Sequence, residues 1–447
     1  TSNDQFAFQS TVNSDGSTRN LTLNSGSATI AVSNAIGGGA ALGTLTITQS
    51  GGTTFSGTVN ADTVTLTDTT GSVTFAGNTT LATLNTASQN YNVIFTGAAN
   101  TITNAVTFSN TGYIKFGDAS GDSSTFNGGL TTTAPSGIRL AGTLQTSDDA
   151  MSLGDANTAI VLYANSVLNT GSAALTVNTT VNGGYTLTLN SSAATTFKGI
   201  IGGSTKPTGI TTNSGGTVVF NTTAISTNGA QAYGENATIS GNITFTTTDN
   251  DITFSGTVNS VSDTKTLTIV AGSGDTTFSG TVGGSEALGN TTIGTAGLTA
   301  GAIKVQGTLA ITNSAASEID GVISDGDSAG IITKAGAGNL TLSGDNTYTG
   351  ATTVNAGTLI ISHADSLGGT SGATTVASGA ALSISGGLTI AEPITISGTG
   401  VSSGGAIVFT GGDNTYSGAI TLGATSTIVS TGGTQTISGT VNAGNGL

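Results

Sequence analysis

Acidic side chains gather at several glycine-rich turns of this sequence. They form three pairs and one denser group: Asp118 and Asp122, Asp148 and Asp149, Asp249 and Asp251, and then Glu318, Asp320, Asp325 and Asp327. Calcium takes about six to eight oxygen ligands, which carboxylates and the backbone carbonyls of such turns supply. Because Asp is also a common turn-forming residue, a purely structural role stays open for every pair. The group from Glu318 to Asp327 is the best candidate for a calcium site, and no other cofactor is expected.

Residues suited to acid–base or nucleophilic catalysis are scarce. The one histidine, His363, follows a predicted strand and shares a corner with Asp365, while the two arginines, Arg19 and Arg139, are 120 residues apart. Glycan-cleaving enzymes need paired carboxylates, or a carboxylate beside a base, held together on one face. No hydrolase or nucleotide-binding motif is present. We therefore predict that the protein is not an enzyme and that His363 is an exposed corner residue.

The composition departs from that of an average soluble domain. Of 447 residues, 70 are Gly, none is Cys or Trp, and only 7% are charged, against roughly 25% in average domains. The formal charge is −15, and the eight Lys and Arg residues are scattered along the chain. Nucleic acid is a poor partner, because phosphate binding needs a concentrated positive patch. No apolar run reaches the roughly 18 residues of a membrane-spanning helix, so membrane insertion is not expected.

Strand patterning runs through almost the whole chain. Aliphatic and β-branched residues alternate with Thr and Ser in stretches such as TLTIT (44–48) and LTLN (187–190), and Gly, Asn, Asp and Ser separate these stretches. Alternation with a period of two predicts β-strands, and the separating residues predict turns. The predicted fold class is all-β.

One phrase recurs at intervals that define a repeat. TFSGTV (54–59) returns at 253–258 and at 277–282, and related wording recurs every 20 residues between Phe55 and Phe95. Repeating coils of about 20–24 residues predict a parallel β-solenoid, in which each strand pairs with its counterpart one coil above and below. A string of β-sandwiches is the alternative, but sandwich strands have more varied wording and a larger aromatic core.

The repeats divide the chain into three predicted segments. Solenoid repeats cover 1–117 and 161–447, and the intervening 118–160 is an irregular segment or junction. This segment contains Pro135 and Met151, both of which are rare in the chain.

Two parts of the chain resemble repeats of bacterial surface proteins. The stretch AGAGNLTLSGDNTYTGATTVNAGTLIIS (335–362) resembles the passenger-associated β-strand repeat of autotransporters. The stretches 228–259 and 276–293 resemble repeats of filamentous haemagglutinin-like and S-layer-like proteins. The resemblance implies secretion to the bacterial cell surface, a β-helical rod, and a role in adhesion or in a surface coat. It implies no site residues.

The expected function is structural. We expect a secreted, non-enzymatic protein that assembles with copies of itself, through chain ends or lateral faces, into a filament, sheath or coat, because unpaired strand edges invite pairing. Phe6 and Phe8, which share a face of the first apolar alternation, are the predicted assembly residues, and repeat wording continues to the final stretch 436–447. The alternative is an adhesin stalk that binds a host or surface ligand, which a surface cluster of aromatic and polar residues would favour. Tyr348 and Tyr416, in equivalent NTY motifs, are expected to be packed structural tyrosines.

Overall fold

The computed structural model describes residues 5–262 and 265–444. The chain is an all-β parallel solenoid of about 21 coils, as the sequence predicts. Within the described residues, the one helical element is the 3₁₀ turn Val401–Ser403, and no helix there is long and apolar enough to cross a membrane. Residues 1–4, 263–264 and 445–447, which fall in the predicted repeat segments, lie outside the described ranges.

Two compact units make up the chain, Thr1–Thr222 and Thr223–Leu447. In the first unit the strands are β1 (Phe6–Phe8), β2 (Leu21–Asn24), β3 (Thr29–Val32), β4 (Leu42–Ser50), β5 (Gly52–Phe55), β6 (Val59–Thr69), β7 (Ser72–Phe75), β8 (Thr79–Thr86), β9 (Asn92–Phe95), β10 (Ala99–Ile102), β11 (Val106–Thr107), β12 (Ile114–Phe116), β13 (Ser123–Phe126), β14 (Leu130–Thr132), β15 (Ile138–Gln145), β16 (Met151–Leu153), β17 (Ala159–Gly171), β18 (Leu175–Val177), β19 (Thr180–Asn182), β20 (Thr186–Ser191), β21 (Ala194–Phe197), β22 (Gly209–Thr212) and β23 (Thr217–Phe220).

In the second unit the strands are β24 (Ala224–Ser226), β25 (Gln231–Tyr233), β26 (Asn236–Ile239), β27 (Ile243–Thr246), β28 (Ile252–Phe254), β29 (Val258–Ser260), β30 (Leu267–Val270), β31 (Thr276–Phe278), β32 (Thr291–Thr295), β33 (Leu298–Ala300), β34 (Ile303–Val305), β35 (Thr308–Asn313), β36 (Ser317–Ile319), β37 (Ile323–Asp325), β38 (Ile331–Ala335), β39 (Asn339–Leu342), β40 (Thr352–Val354), β41 (Gly357–Ile361), β42 (Thr374–Val376), β43 (Ala380–Ser385), β44 (Thr389–Ile390), β45 (Ile394–Gly398), β46 (Ile407–Gly411), β47 (Thr415–Tyr416), β48 (Ile420–Ser426), β49 (Ile428–Ser430), β50 (Thr436–Ile437) and β51 (Val441–Ala443).

Each strand pairs in parallel with its counterpart in the next coil. In the second unit, β25, β26 and β27 follow one another around one coil and pair with β28, β29 and β30 of the next. Side chains alternate along each strand, so Ile243 and Phe245 are buried while Thr244 faces outward. The inward residues of successive coils therefore stack into columns, and these columns are the core.

The recurring phrase in the sequence is one of these columns. Phe55, Phe75, Phe95 and Phe116 lie at equivalent positions of β5, β7, β9 and β12. Their rings stack nearly parallel, with centroids 5.2, 5.0 and 6.1 Å apart, and all four are buried. Identical residues recur because each new coil must fit the surface that the previous coil presents.

Glycines after the phenylalanines form a second column at the corner of the coil. A Cβ added to Gly77 would meet the carbonyl group of Gly57, and one added to Gly97 would meet that of Gly77. These distances are well inside 3.0 Å, which real Cβ atoms essentially never show. Backbones of successive coils approach so closely there that no side chain fits, which explains the invariant Gly of the phrase.

Coil length varies more than the sequence predicts. The register places Ala300 beside Ile319, 19 residues later, and Ile384 beside Phe409, 25 residues later. The extra residues are accommodated at corners, since the paired strands stay in register.

The predicted junction 118–160 contains four complete strands, β13 to β16, and all of them pair in parallel. The two compact units meet between Thr222 and Thr223. The predicted division at 118–160 stays a prediction.

Candidate functional site

The acidic group predicted to bind calcium lies at two successive corners of the second unit. Its members are Glu318 on the outward face of β36, Asp320 directly after that strand, Asp325 at the end of β37, and Asp327 in an exposed turn. The carboxylate of Asp325 accepts hydrogen bonds from the backbone N–H of Gly330 at 2.7 Å and from the hydroxyl of Thr349 at 2.6 Å. Among the described residues, no three of these four bring their oxygens together. Calcium binding there stays a prediction.

Several other turn carboxylates link one coil to the next. Asp148 accepts a hydrogen bond from the backbone N–H of Ser172 at 2.8 Å, and Asp249 accepts one from Ser273 at 2.9 Å. Both aspartates have positive φ, which Asp tolerates better than most residues. The carboxylate of Asp122 accepts two backbone N–H groups of its own turn. These carboxylates serve as structural acceptors.

The lone histidine lies in the second unit beside two aspartates, and we call Asp345, His363 and Asp365 the histidine corner. Nδ1 of His363 is 4.0 Å from a carboxylate oxygen of each aspartate. Asp345 follows β39 and the other two follow β41, which pairs with β39 in the next coil. Within residues 5–262 and 265–444, this is the one group of three such side chains whose ligand atoms all lie within 4.8 Å of one another.

The first unit carries an outward-facing cluster that the sequence did not predict. It consists of Tyr113, Lys115, Arg139 and Tyr163, and we call it the tyrosine–cation patch. The guanidinium carbon of Arg139 lies 3.5 Å from the ring centre of Tyr113 and 5.9 Å from that of Tyr163, within the range of cation–π attraction. The side chain of Tyr163 is 47% exposed. Arg139 is thus held between tyrosines of the coils before and after it.

Like charges are neighbours in this patch. Lys115 of β12 and Arg139 of β15 are direct register partners, and adjacent like charges on neighbouring strands repel. The salt bridges that the described residues form with Lys or Arg reduce to one, Arg19 with Asp15, so neither cation of the patch has a carboxylate partner there. Two uncompensated cations side by side are a binding site for an anion, in a protein whose net charge is −15.

Comparison with protein-family models places one stretch of the second unit. Residues 332–361 match the model of the passenger-associated-transport-repeat, a repeat of autotransporter passengers. The chain carries a passenger repeat. Together with the parallel solenoid, this repeat fits a bacterial surface β-repeat protein, as the resemblance of 335–362 implies. It points to a secreted or cell-surface protein. Searches of curated proteins and of solved structures found no match.

The passenger repeat keeps its polar side chains satisfied internally. Lys334 faces inward, between Ile311 and Val354 of the adjacent coils, and is fully buried. Its ammonium group donates hydrogen bonds to three backbone carbonyls, at 2.8, 2.9 and 3.1 Å, while burial lowers the pKa of Lys334 to about 8. The hydroxyl of buried Tyr348 lies 2.6 Å from that of Thr352. The matched repeat is thus a packing unit, and it exposes neither side chain.

The NTY tyrosines are buried, as expected of packed structural residues. Between their coils lies Glu392, which is only 4% exposed and whose Oε2 has no hydrogen-bond partner among the described residues. Burial raises the pKa of Glu392 to about 8. Burial, and then the charge of Glu392, raises the pKa of Tyr348 and of Tyr416 above the usual range.

Sequence reasoning missed the tyrosine–cation patch and Asp345 for one reason. Lys115 and Arg139 are 24 residues apart, and Asp345 and His363 are 18 apart, so a fixed coil length does not align both pairs. Two cations at near-coil spacing, each two residues after Tyr or Gly at a strand start, were the available signal.

Proposed function

We propose that this protein is a secreted bacterial surface protein that acts by contact rather than by catalysis, and that it binds an acidic glycan through the tyrosine–cation patch. The observation that carries the proposal is the unpaired Lys115–Arg139 pair held between two tyrosines. This is the surface cluster of aromatic and polar residues that favours the adhesin alternative over a purely structural rod. Passenger-repeat solenoids are typically non-enzymatic, which agrees with binding as the activity.

The chemistry of the patch fits a sugar polymer that carries carboxylates. The guanidinium group presents a planar fork of donors that matches a carboxylate, and Lys115 adds a second positive charge one coil away. Exposed tyrosine rings offer an apolar face and a hydroxyl, which suits the mixed surface of a sugar. A parallel ladder also repeats its outward positions about every 4.8 Å, close to the spacing of successive sugar units along a chain.

Binding of polygalacturonate, a polymer of carboxylated sugars, tests the proposal. We expect the full chain to bind immobilised polygalacturonate and not dextran, which is neutral. Raising the salt concentration should weaken binding, because exposed charges are screened. Arg139→Gln and Tyr163→Ala should each weaken binding about tenfold or more, equivalent to roughly 1.4 kcal/mol. Biolayer interferometry measures these affinities directly.

Lys198→Gln is the matched control, since Lys198 is an exposed cation of the same unit outside the patch. It should bind as the wild type does. Equal binding by Arg139→Gln and the wild type would contradict the proposal, as would equal affinity for dextran.

Assembly with copies of the same chain is the second candidate function. Three apolar residues occupy inward columns and yet are exposed: Phe6 beside buried Ile30 (45%), Ile437 beside buried Tyr416 (40%) and Val441 beside buried Ile420 (51%). Phe8, the other predicted assembly residue, pairs with Val32 and is half-buried. A further coil laid against these residues would cover them, whichever chain supplies it. Calcium bridges between acidic corners of neighbouring copies would offset their mutual repulsion.

A further inference from the structure

We propose that the histidine corner is a binding site for a divalent transition-metal ion, with Zn²⁺ as the best fit. The site is formed by Asp345 of one coil and by His363 and Asp365 of the next. It lies in the second unit and does not depend on the glycan binding proposed for the first.

The distances fit one shared ion. Zinc bonds to imidazole nitrogen and carboxylate oxygen are about 2.0–2.2 Å long, so two ligand atoms of one ion lie at most about 4.3 Å apart. Nδ1 of His363 is 4.0 Å from an oxygen of Asp345 and 4.0 Å from an oxygen of Asp365. Both gaps are too long for a hydrogen bond and the right length for two bonds to an intervening ion.

Hydrogen bonding sets these two carboxylates apart from the other turn carboxylates. Asp413, which opens the same DNTY motif as Asp345, accepts a hydrogen bond from the backbone N–H of Thr434 at 2.7 Å. Asp325 accepts three from two residues. In the described part of the chain, the carboxylates of Asp345 and Asp365 accept none, and their shared neighbour is the imidazole of His363. They are available as ligands.

The donor set selects the ion. Imidazole nitrogen with carboxylate oxygen suits Zn²⁺ and its first-row neighbours, whereas Ca²⁺ takes oxygen ligands only. The side chains of His363, Asp345 and Asp365 are 42%, 68% and 63% exposed, so water can complete a tetrahedral shell. The one contact that the ion must displace is the 3.2 Å hydrogen bond from the backbone N–H of Asp365 to Nδ1.

Metal binding would join two successive coils by a bond that the backbone ladder does not supply. A ligand that binds the folded state alone raises the free energy of unfolding in proportion to the logarithm of its concentration. The site would therefore act as a metal-dependent staple beside the passenger repeat, whose matched residues 332–361 include Asp345.

Titration of the full chain with Zn²⁺ alone tests the inference. Calorimetry should give one site per chain, and the thermal midpoint should rise with Zn²⁺ concentration. Because the chain has a single histidine, its imidazole NMR signals need no assignment, and they should shift as Zn²⁺ is added. His363→Ala and Asp345→Asn should each weaken binding about tenfold or more, roughly 1.4 kcal/mol, and abolish the midpoint shift.

The matched control is Asp413→Asn, the same change in the same motif without a neighbouring histidine. It should bind Zn²⁺ as the wild type does. Imidazole signals that stay unshifted at saturating Zn²⁺ would overturn the inference even if one of the variants failed to fold. So would equal binding by the wild type and Asp345→Asn, or a stronger response to Ca²⁺ than to Zn²⁺.

Discussion

Glu392 shows how a single residue can oppose the repeat that contains it. Its position follows Thr389 and Ile390 of β44, as Gly418 follows Thr415 and Tyr416 of β47, and a Cβ on Gly418 would meet the carbonyl of Glu392. A glutamate thus stands at a corner that glycine occupies in the next coil. Its carboxyl group is buried with one oxygen lacking a partner, so the charged form is costly.

Burial of Glu392 makes stability depend on pH. The pKa is about 8 in the folded chain and 4.5 without burial, so the folded state holds the proton more tightly. This contribution is complete below about pH 4.5, falls as the pH rises, and is lost above about pH 8, at about 1.4 kcal/mol per pKa unit. We expect Glu392→Gln, which is always neutral, to equal the wild type in thermal midpoint near pH 4.5 and to exceed it at pH 8.

Glu318→Gln is the control, because Glu318 is an exposed glutamate of the same unit, and it should follow the wild type at every pH. A midpoint difference between Glu392→Gln and the wild type that stays constant from pH 4.5 to 8 would refute the burial argument.

At the scale of the element, the corner glycines set how closely coils approach. Gly57, Gly77 and Gly97 succeed one another in the first unit, and each leaves room only for the carbonyl of the preceding corner. None of the three has a positive φ, so the requirement is steric rather than conformational. The strand pairs β5–β7 and β7–β9 keep their register because these corners stay narrow.

A methyl group at Gly77 should therefore destabilise the first unit. We expect Gly77→Ala to cost about 1–3 kcal/mol, the range for overpacking in a close-packed site, as measured by denaturant unfolding. Gly121→Ala is the matched control, because a Cβ there meets nothing within 4 Å, and it should change stability by less than about 0.5 kcal/mol. Equal effects of the two substitutions would show that the corner relaxes without cost.

At the scale of the whole molecule, the sequence predicts the architecture better than the sites. Repeated wording reveals the Phe55–Phe75–Phe95 column, since every coil must match its neighbour. It does not reveal which outward residues of different coils become neighbours, because corners absorb insertions without disturbing the strands. Lys115 beside Arg139 and Asp345 beside His363 both depend on corner lengths, which vary independently of the inward pattern.

Self-assembly is a prediction at this scale. If the exposed members of the inward columns join copies, negative-stain electron microscopy of the full chain at micromolar concentration should show filaments of uniform width. Ile437→Glu should shorten or abolish them, because a buried unpaired charge is costly. Val261→Glu is the control, since Val261 is 53% exposed outside the strands, and it should leave filaments unchanged. Separate particles of the wild type, with and without calcium, would exclude this form of assembly and leave the adhesin.

The parallel ladder also determines how either unit would respond to force. Hydrogen bonds between coils run along the stacking direction, and each coil is bonded mainly to the coils on either side of it. Tension applied along that direction loads the outermost coil first, so coils detach in turn instead of yielding together. Each step frees about 20 residues, or roughly 70 Å of chain at about 3.4 Å per residue. A cell tethered through such a stack would be held by a line that lengthens in small increments and limits the peak load on its attachment.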